Sequence, residues 1–202
     1  MNSKVFPIVL CLLAGLVFYT PAYSAENKVR FGIEGGLAYA DIGAAETAQT
    51  IANLSGSTVT YKVDEYAAYF RLYLDYFFSK NFGVEVGAFL TDEVIATYTL
   101  SGASASEAYS MHGVDASLVL KGAEAPIFLK LGIHNSQVDG RASITIGGTT
   151  YAATAAARGT GMLIGVGYQE KDGGWRSGIT YYSDVGGLSK ADITLVYIGF
   201  TF

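Results

Sequence analysis

Few residues in this 202-residue sequence carry reactive chemistry, and the densest group is His134-Asn135-Ser136 with Asp139 close behind. A histidine, a hydroxyl and a carboxylate are the parts of an activated nucleophile. If the segment is a strand, the His-x-Ser spacing puts both side chains on one face. The other histidine, His112, stands alone before Gly113, so the two histidines give no metal-ligand spacing. Gly35-Gly36 and Gly165-x-Gly167 read as packing or kink glycines rather than phosphate loops, and Asn53-Leu54-Ser55 as ordinary loop sequence. No catalytic residue, cofactor site or metal site is expected from these patterns.

A second group is larger. Eight ionisable residues, Glu34, Arg71, Asp75, Glu85, Asp115, Lys121, Lys130 and Arg176, lie inside stretches that are otherwise apolar at every second position. What they do depends on the elements that carry them. From Lys28 to Asp41 the odd positions Val29, Phe31, Ile33, Leu37 and Tyr39 are apolar, and Arg30, Gly32, Glu34, Gly36 and Ala38 face the other way. The same period of two runs through 66–78, 82–91, 113–121, 126–134, 160–169, 175–182 and 192–202. Alternation of this kind marks strands with one face in apolar surroundings. No segment shows an amphipathic helical period or 18 consecutive apolar residues, which excludes helical membrane spans.

Eight alternating segments would also suit a β-sandwich, so the connections decide. Those after the second, fourth and sixth segments are three to five residues, at Ser79-Lys80-Asn81, Gly122-Ala123-Glu124 and 170–174, whereas those after the first, third and fifth run to about twenty. Short turns alternating with long loops are the signature of an up-and-down membrane barrel. Aromatics collect near segment ends, at Tyr39, Tyr66, Tyr76, Phe78, Phe82, Tyr168, Trp175 and Tyr181, where interfacial girdles belong. The expected fold is all-β, an eight-stranded antiparallel up-and-down transmembrane β-barrel. Its closing strand pairs with both 175–182 and 28–39.

Residues 1–24 carry Lys4, an apolar run from Val5 to Phe18 and small residues at Ala22 and Ser24, the pattern of a cleaved secretory signal. The lone cysteine, Cys11, lies within it, so the barrel domain, 25–202, uses no thiol chemistry. Loss of Lys4 takes the formal net charge from −5 to −6. An acidic chain without a basic patch is a poor nucleic-acid binder.

In a closed barrel of eight strands the eight charges have inward parity, and the interior is just wide enough for side chains. Counted from the short-turn end, Glu34, Arg71, Asp115 and Lys130 fall on an upper level, and Asp75, Glu85, Lys121 and Arg176 on a lower one, each neutral. The expectation is a polar plug in which Glu34 and Asp115 lie near Arg71 or Lys130. A selective narrow pore is the alternative, since ionisable groups within membranes often serve transport.

The signal, eight strands, turn pattern and final Phe200-Thr201-Phe202 resemble the OmpA/OmpX-like family of small outer-membrane β-barrels. That resemblance implies insertion in the Gram-negative cell outer membrane, contact with lipid and lipopolysaccharide, and transient recognition of Ile198, Phe200 and Phe202 by the barrel-assembly machinery. No peptidoglycan-binding domain follows the barrel here, so a tethering role is not carried over. His134-Asn135-Ser136 is also similar to the lipid A deacylase barrels, which implies a lipid-modifying enzyme as a further alternative. Those enzymes need a nucleophile that faces lipid, and His134 has inward parity with Asp139 in a loop, so no enzyme is expected.

The long connections, 42–65, 92–112 and 136–159, carry the leading functional reading, a structural, adhesin-like barrel that meets surface partners. Ala142 to Ala152 reads as a hairpin about Gly147-Gly148, and Ser57–Val63 and Val94–Leu100 are β-prone. Their exposed edges invite strand addition by another protein. The loop carboxylates Asp41, Glu46, Asp64, Glu65, Asp92, Glu93, Glu107 and Asp184 could attract divalent cations that bridge lipopolysaccharide, but such charges are usually just solvated.

Overall fold

A computed structural model describes residues 29–122, 125–170, 174–188 and 191–202. The expected signal segment, 1–24, and parts of two short turns lie outside them. In chain order the elements are β1 (Val29–Ala40), α1 (Ala44–Ser55), β2 (Thr60–Asp64), β3 (Tyr66–Phe77), β4 (Phe82–Thr91) and β5 (Val94–Leu100). Then follow β6 (Ala103–Lys121), β7 (Ile127–Ile146), β8 (Thr149–Gln169), β9 (Gly174–Tyr182), a 3-10 turn (Val185–Gly187) and β10 (Ile193–Thr201).

Eight of the strands close a barrel in the order β1, β3, β4, β6, β7, β8, β9, β10, every neighbour antiparallel. Closure comes from β10, which pairs with β9 on one side and with β1 on the other. Because every inter-strand bond is then made within the ring, no backbone edge is left to face hydrocarbon. Residues of one parity form an apolar outer band, among them Leu37, Val86, Leu118, Leu131, Ile133, Met162, Ile164, Val196 and Ile198. At the short-turn end Trp175 packs against Phe200, Phe200 against Phe202, and Phe202 against Phe31 at 6.1 Å, so an aromatic strip crosses the seam.

Stagger is measurable from the register. A row of paired residues leaves β8 at Gln169 and passes through Arg176, Gly199, Glu34, Arg71, Phe89, Gly113 and Ser136. It returns to β8 at Gly159, ten residues from its start. Ten residues of stagger over eight gaps, at about 3.4 Å per residue and about 4.8 Å per gap, tilts the strands about 40° from the axis.

The long connections depart from the sequence reading in two ways. Residues 44–55 form a helix, although no amphipathic helical period is evident there. Its inward stripe is Ala44, Ala48 and Ile51, and alanine is too weakly apolar to mark a face, but it lets the helix lie close over Ala96 and Tyr98 of β5. The second departure is that 136–159 is no loop. It is the outward continuation of β7 and β8, 20 and 21 residues long, joined by a two-residue turn at Gly147 (φ 57°) and Gly148 (φ 85°). Both turn positions need positive φ, which glycine alone adopts freely. At about 3.4 Å per residue and about 40° of tilt, β7 rises some 50 Å, about twice the apolar band of a membrane barrel. Together β2, β5 and the outer halves of β6, β7 and β8 make a five-stranded sheet beyond the barrel.

The depth of the apolar band can be tested by charge insertion. Leu131→Arg, on the outer face of β7, should destabilise the folded protein by about 2–4 kcal/mol, and Thr154→Arg, on the extended part of β8, by less than about 1 kcal/mol. Urea unfolding in phospholipid vesicles measures both.

Candidate functional site

The barrel interior is filled by side chains. Glu34, Arg71, Asp75, Glu85, Lys130 and Arg176 are at most 2% exposed, Asp115 is 5% exposed, and Lys121 is half-buried at the short-turn end. Glu34, Glu85, Asp115, Arg71, Lys130 and Arg176 form one connected set. Arg71 Nη1 donates to Glu34 Oε2 at 3.1 Å, its Nε and Nη2 fork onto Asp115 at 2.9 and 2.6 Å, and Nη2 also lies 2.9 Å from Glu85. Glu85 accepts from Arg176 Nη1 at 2.5 Å and from Lys130 Nζ at 3.3 Å, while Glu34 Oε1 lies 3.1 Å from Arg176 Nε. Three carboxylates balance three cations.

The two separate levels expected from residue counting therefore merge. Counting up each strand ignores the tilt. In the register Arg176 and Glu34 sit in one row with only Gly199 between them, so a residue counted low on β9 meets one counted high on β1. Glycines give the long side chains their room. A Cβ on Gly87 would stand 2.5 Å from Arg71 Nε, and one on Gly32 would enter the Tyr73 ring. The guanidinium of Arg176 lies 4.6 Å from the Tyr73 ring centroid and 4.3 Å from that of Phe128. Tyr182 donates to Asp115 at 3.0 Å.

Asp75 belongs to a smaller group nearer the short turns. Its carboxylate takes both arms of Arg30, at 2.9 and 2.8 Å, and Arg30 and Lys121 lie on Phe77 at 4.9 and 4.1 Å. Arg30 is an interior charge beyond the eight expected in the lumen. Its parity, shared with Glu34 on β1, is the signal that finds it.

His134 and Ser136 are both 1% exposed and face inward on β7. Ser136 Oγ lies 3.2 Å from His134 Nδ1, His134 Nε2 lies 2.8 Å from the Ser183 carbonyl, and Gly186 N donates to Ser136 Oγ at 2.9 Å. A neutral imidazole satisfies this chain if Nε2 donates to the carbonyl and Nδ1 accepts from the hydroxyl. The pair thereby anchors the 3-10 turn, whose fully buried Val185 closes the outer mouth of the barrel. Asp139 points to the opposite face, 3.5 Å from His112, and Asp115, directly across from His134, is held by Arg71 and Tyr182. The three groups of an activated nucleophile are not brought together. Ile198 and Phe202 stand on the outer face, with Phe200 half-buried between its aromatic neighbours.

No protein-family model matches this chain, and no curated protein matches its sequence. Among solved structures, the crystal structure of Ail, the attachment invasion locus protein of Yersinia pestis, aligns with a TM-score of 0.52 at 14% identity, over 89% of this chain and 100% of Ail. Ail in complex with the heparin analogue sucrose octasulfate gives 0.51 at 14% identity, over 87% and 99%. The fold is that of a small outer-membrane β-barrel. At this identity the likeness extends to architecture alone.

Removing one partner of the central network leaves buried charge uncompensated. Arg71→Met should cost about 3–5 kcal/mol, and adding Glu34→Gln and Asp115→Asn should recover part of the loss, as urea unfolding in lipid vesicles would report. Ser136→Ala should loosen the outer mouth and leave the acyl pattern of lipid A unchanged by mass spectrometry.

Proposed function

We propose that this protein is an integral barrel of the Gram-negative outer membrane, exported by residues 1–24, whose work is recognition at the cell surface. The carrying observation is the outer edge of β8. From Thr149 to Ala157 that strand pairs with β7 on one side, while β9 joins it on the other side only from Leu163. The nine residues Thr-Thr-Tyr-Ala-Ala-Thr-Ala-Ala-Ala contain no charge and no proline. Protein sheets ordinarily protect a free edge with such residues, and a long unprotected one is a template for another strand. Strand addition takes its affinity from main-chain bonds and its selectivity from alternate side chains. A partner presenting an extended segment fits this edge, on the sheet built from 42–65, 92–112 and 136–159.

The side-chain-filled interior, with its central network of three carboxylates on three cations, supports a plug rather than a narrow pore, and the buried His134–Ser136 pair supports a structural role rather than lipid modification. In the same reading Ile198, Phe200 and Phe202 serve as the assembly signal for the barrel-assembly machinery, and the outer band contacts lipid and lipopolysaccharide.

Deleting residues 141–155 and joining the shortened β7 and β8 through Gly-Gly should abolish adhesion of expressing cells to the surface partner. Ala152→Pro should weaken it strongly by removing a donor from the free edge, because the even residues of β8 turn their N–H away from β7, as Met162 does toward Ser183. Both variants should still migrate as heat-modifiable folded barrels on gels. Undiminished adhesion by both would refute strand addition at this edge.

A further inference from the structure

Glu107 is a carboxylate that neither the interior network nor the membrane band uses. It lies on β6 above the barrel, half-buried, on the inward-facing side of the extended sheet. Three rows of paired residues define that surface: Tyr98, Ala105, Ile144 and Tyr151; then Ala96, Glu107, Ala142 and Ala153; then Val94, Tyr109, Gly140 and Ala155. Helix α1 covers the β5 end of the rows and stops short of the β7–β8 end. What remains is a cleft of about 320 Å³, with Thr47 and Ile51 on one side, Ile144 and Tyr151 on the other, and a floor of alanines. That volume is at the lower bound for sites that hold small molecules.

The chemistry of the cleft is one anion in apolar walls. Tyr98, itself 1% exposed, donates to Glu107 Oε1, and Tyr109 donates to Oε2 at 2.5 Å. Burial and the hydrogen bond to Glu107 push the Tyr109 hydroxyl up to about 12 and raise Tyr98 as well, so both remain donors at neutral pH. The interior carboxylates all meet arginine or lysine, and Glu93 at the surface meets Arg141. Among the described residues Glu107 has only its two tyrosines. These fix the carboxylate in the lining of the cleft, where a bound cation would find an oriented acceptor and an aromatic wall.

We propose that this cleft binds an organic cation, a primary ammonium or guanidinium on an aliphatic stem, with the head group on Glu107 and the stem along Ala105, Ala142 and Ala153 beneath Ile51 and Tyr151. The site is independent of strand addition at the β8 edge, because it lies on the face of the sheet. A free diamine and a lysine or arginine side chain share the required chemistry.

The test is calorimetric titration of the refolded full chain in detergent micelles with 1,5-diaminopentane, with a short lysine-containing peptide, and with pentan-1-ol as the uncharged control. Saturable binding of the diamine, the peptide or both is expected, with no binding of the alcohol; whichever binds more tightly names the source. Glu107→Gln should weaken binding roughly tenfold or more, the loss of one charge-assisted hydrogen bond, and Ala142→Leu should block the stem. Heat-modifiable migration and far-ultraviolet circular dichroism verify that both variants are folded. Absence of saturable binding by either amine, equal affinity of the Gln variant, or equal binding of pentan-1-ol would overturn the proposal.

Discussion

A bilayer offers a peptide group no water to bond with, so a sheet that crosses it must have no edge. Pairing of β10 with β1 meets that demand, and nearly everything else about this protein follows from the geometry of closure. Eight strands at a stagger of ten leave an interior too narrow for bulk water and wide enough for arginine, tyrosine and phenylalanine. Charged groups brought into that space have to satisfy one another. Arg71 therefore sits where three carboxylates converge, and Glu85 where three cations do.

How much of this can be read from the sequence depends on whether the feature belongs to one strand or to several. Alternation is a property of single strands, and it yields the eight barrel segments, the direction each side chain faces and the neighbours of the last strand. Stagger belongs to the ring, and no single segment encodes it. Glu34 and Arg176 look like members of different levels until the register sets them on either side of Gly199. Arg30 is different, since parity alone places it inside with Glu34.

Beyond the membrane the signal fades for another reason. Where both faces of a strand meet water, nothing forces alternation, and residues 149–159 of β8 are almost all small and exposed. Turn chemistry still marks Gly147-Gly148, so the hairpin is legible while the continuity of its arms with the barrel is not. Helix α1 escapes notice because alanine supplies its inward stripe. Glu107 looks like one more solvated loop carboxylate, and only the folded sheet brings Tyr98 and Tyr109 to it.

Gly199 gives the seam a means of checking itself. A closure displaced by one residue would turn the faces of β10 over, and the pattern of polarity forbids it. A displacement by two keeps the faces and passes that inspection, but it moves Glu34 away from the gap across which it reaches Arg176. The ion pair that ties β1 to β9 across the seam would then be lost, leaving Glu34 with Arg71 alone. A side chain at position 199 would blur the comparison by standing between Glu34 and Arg176, and glycine leaves it open. The interior charges thus act as a proofreading device for the final pairing step, accepting one alignment of first and last strand and penalising its nearest same-face competitors.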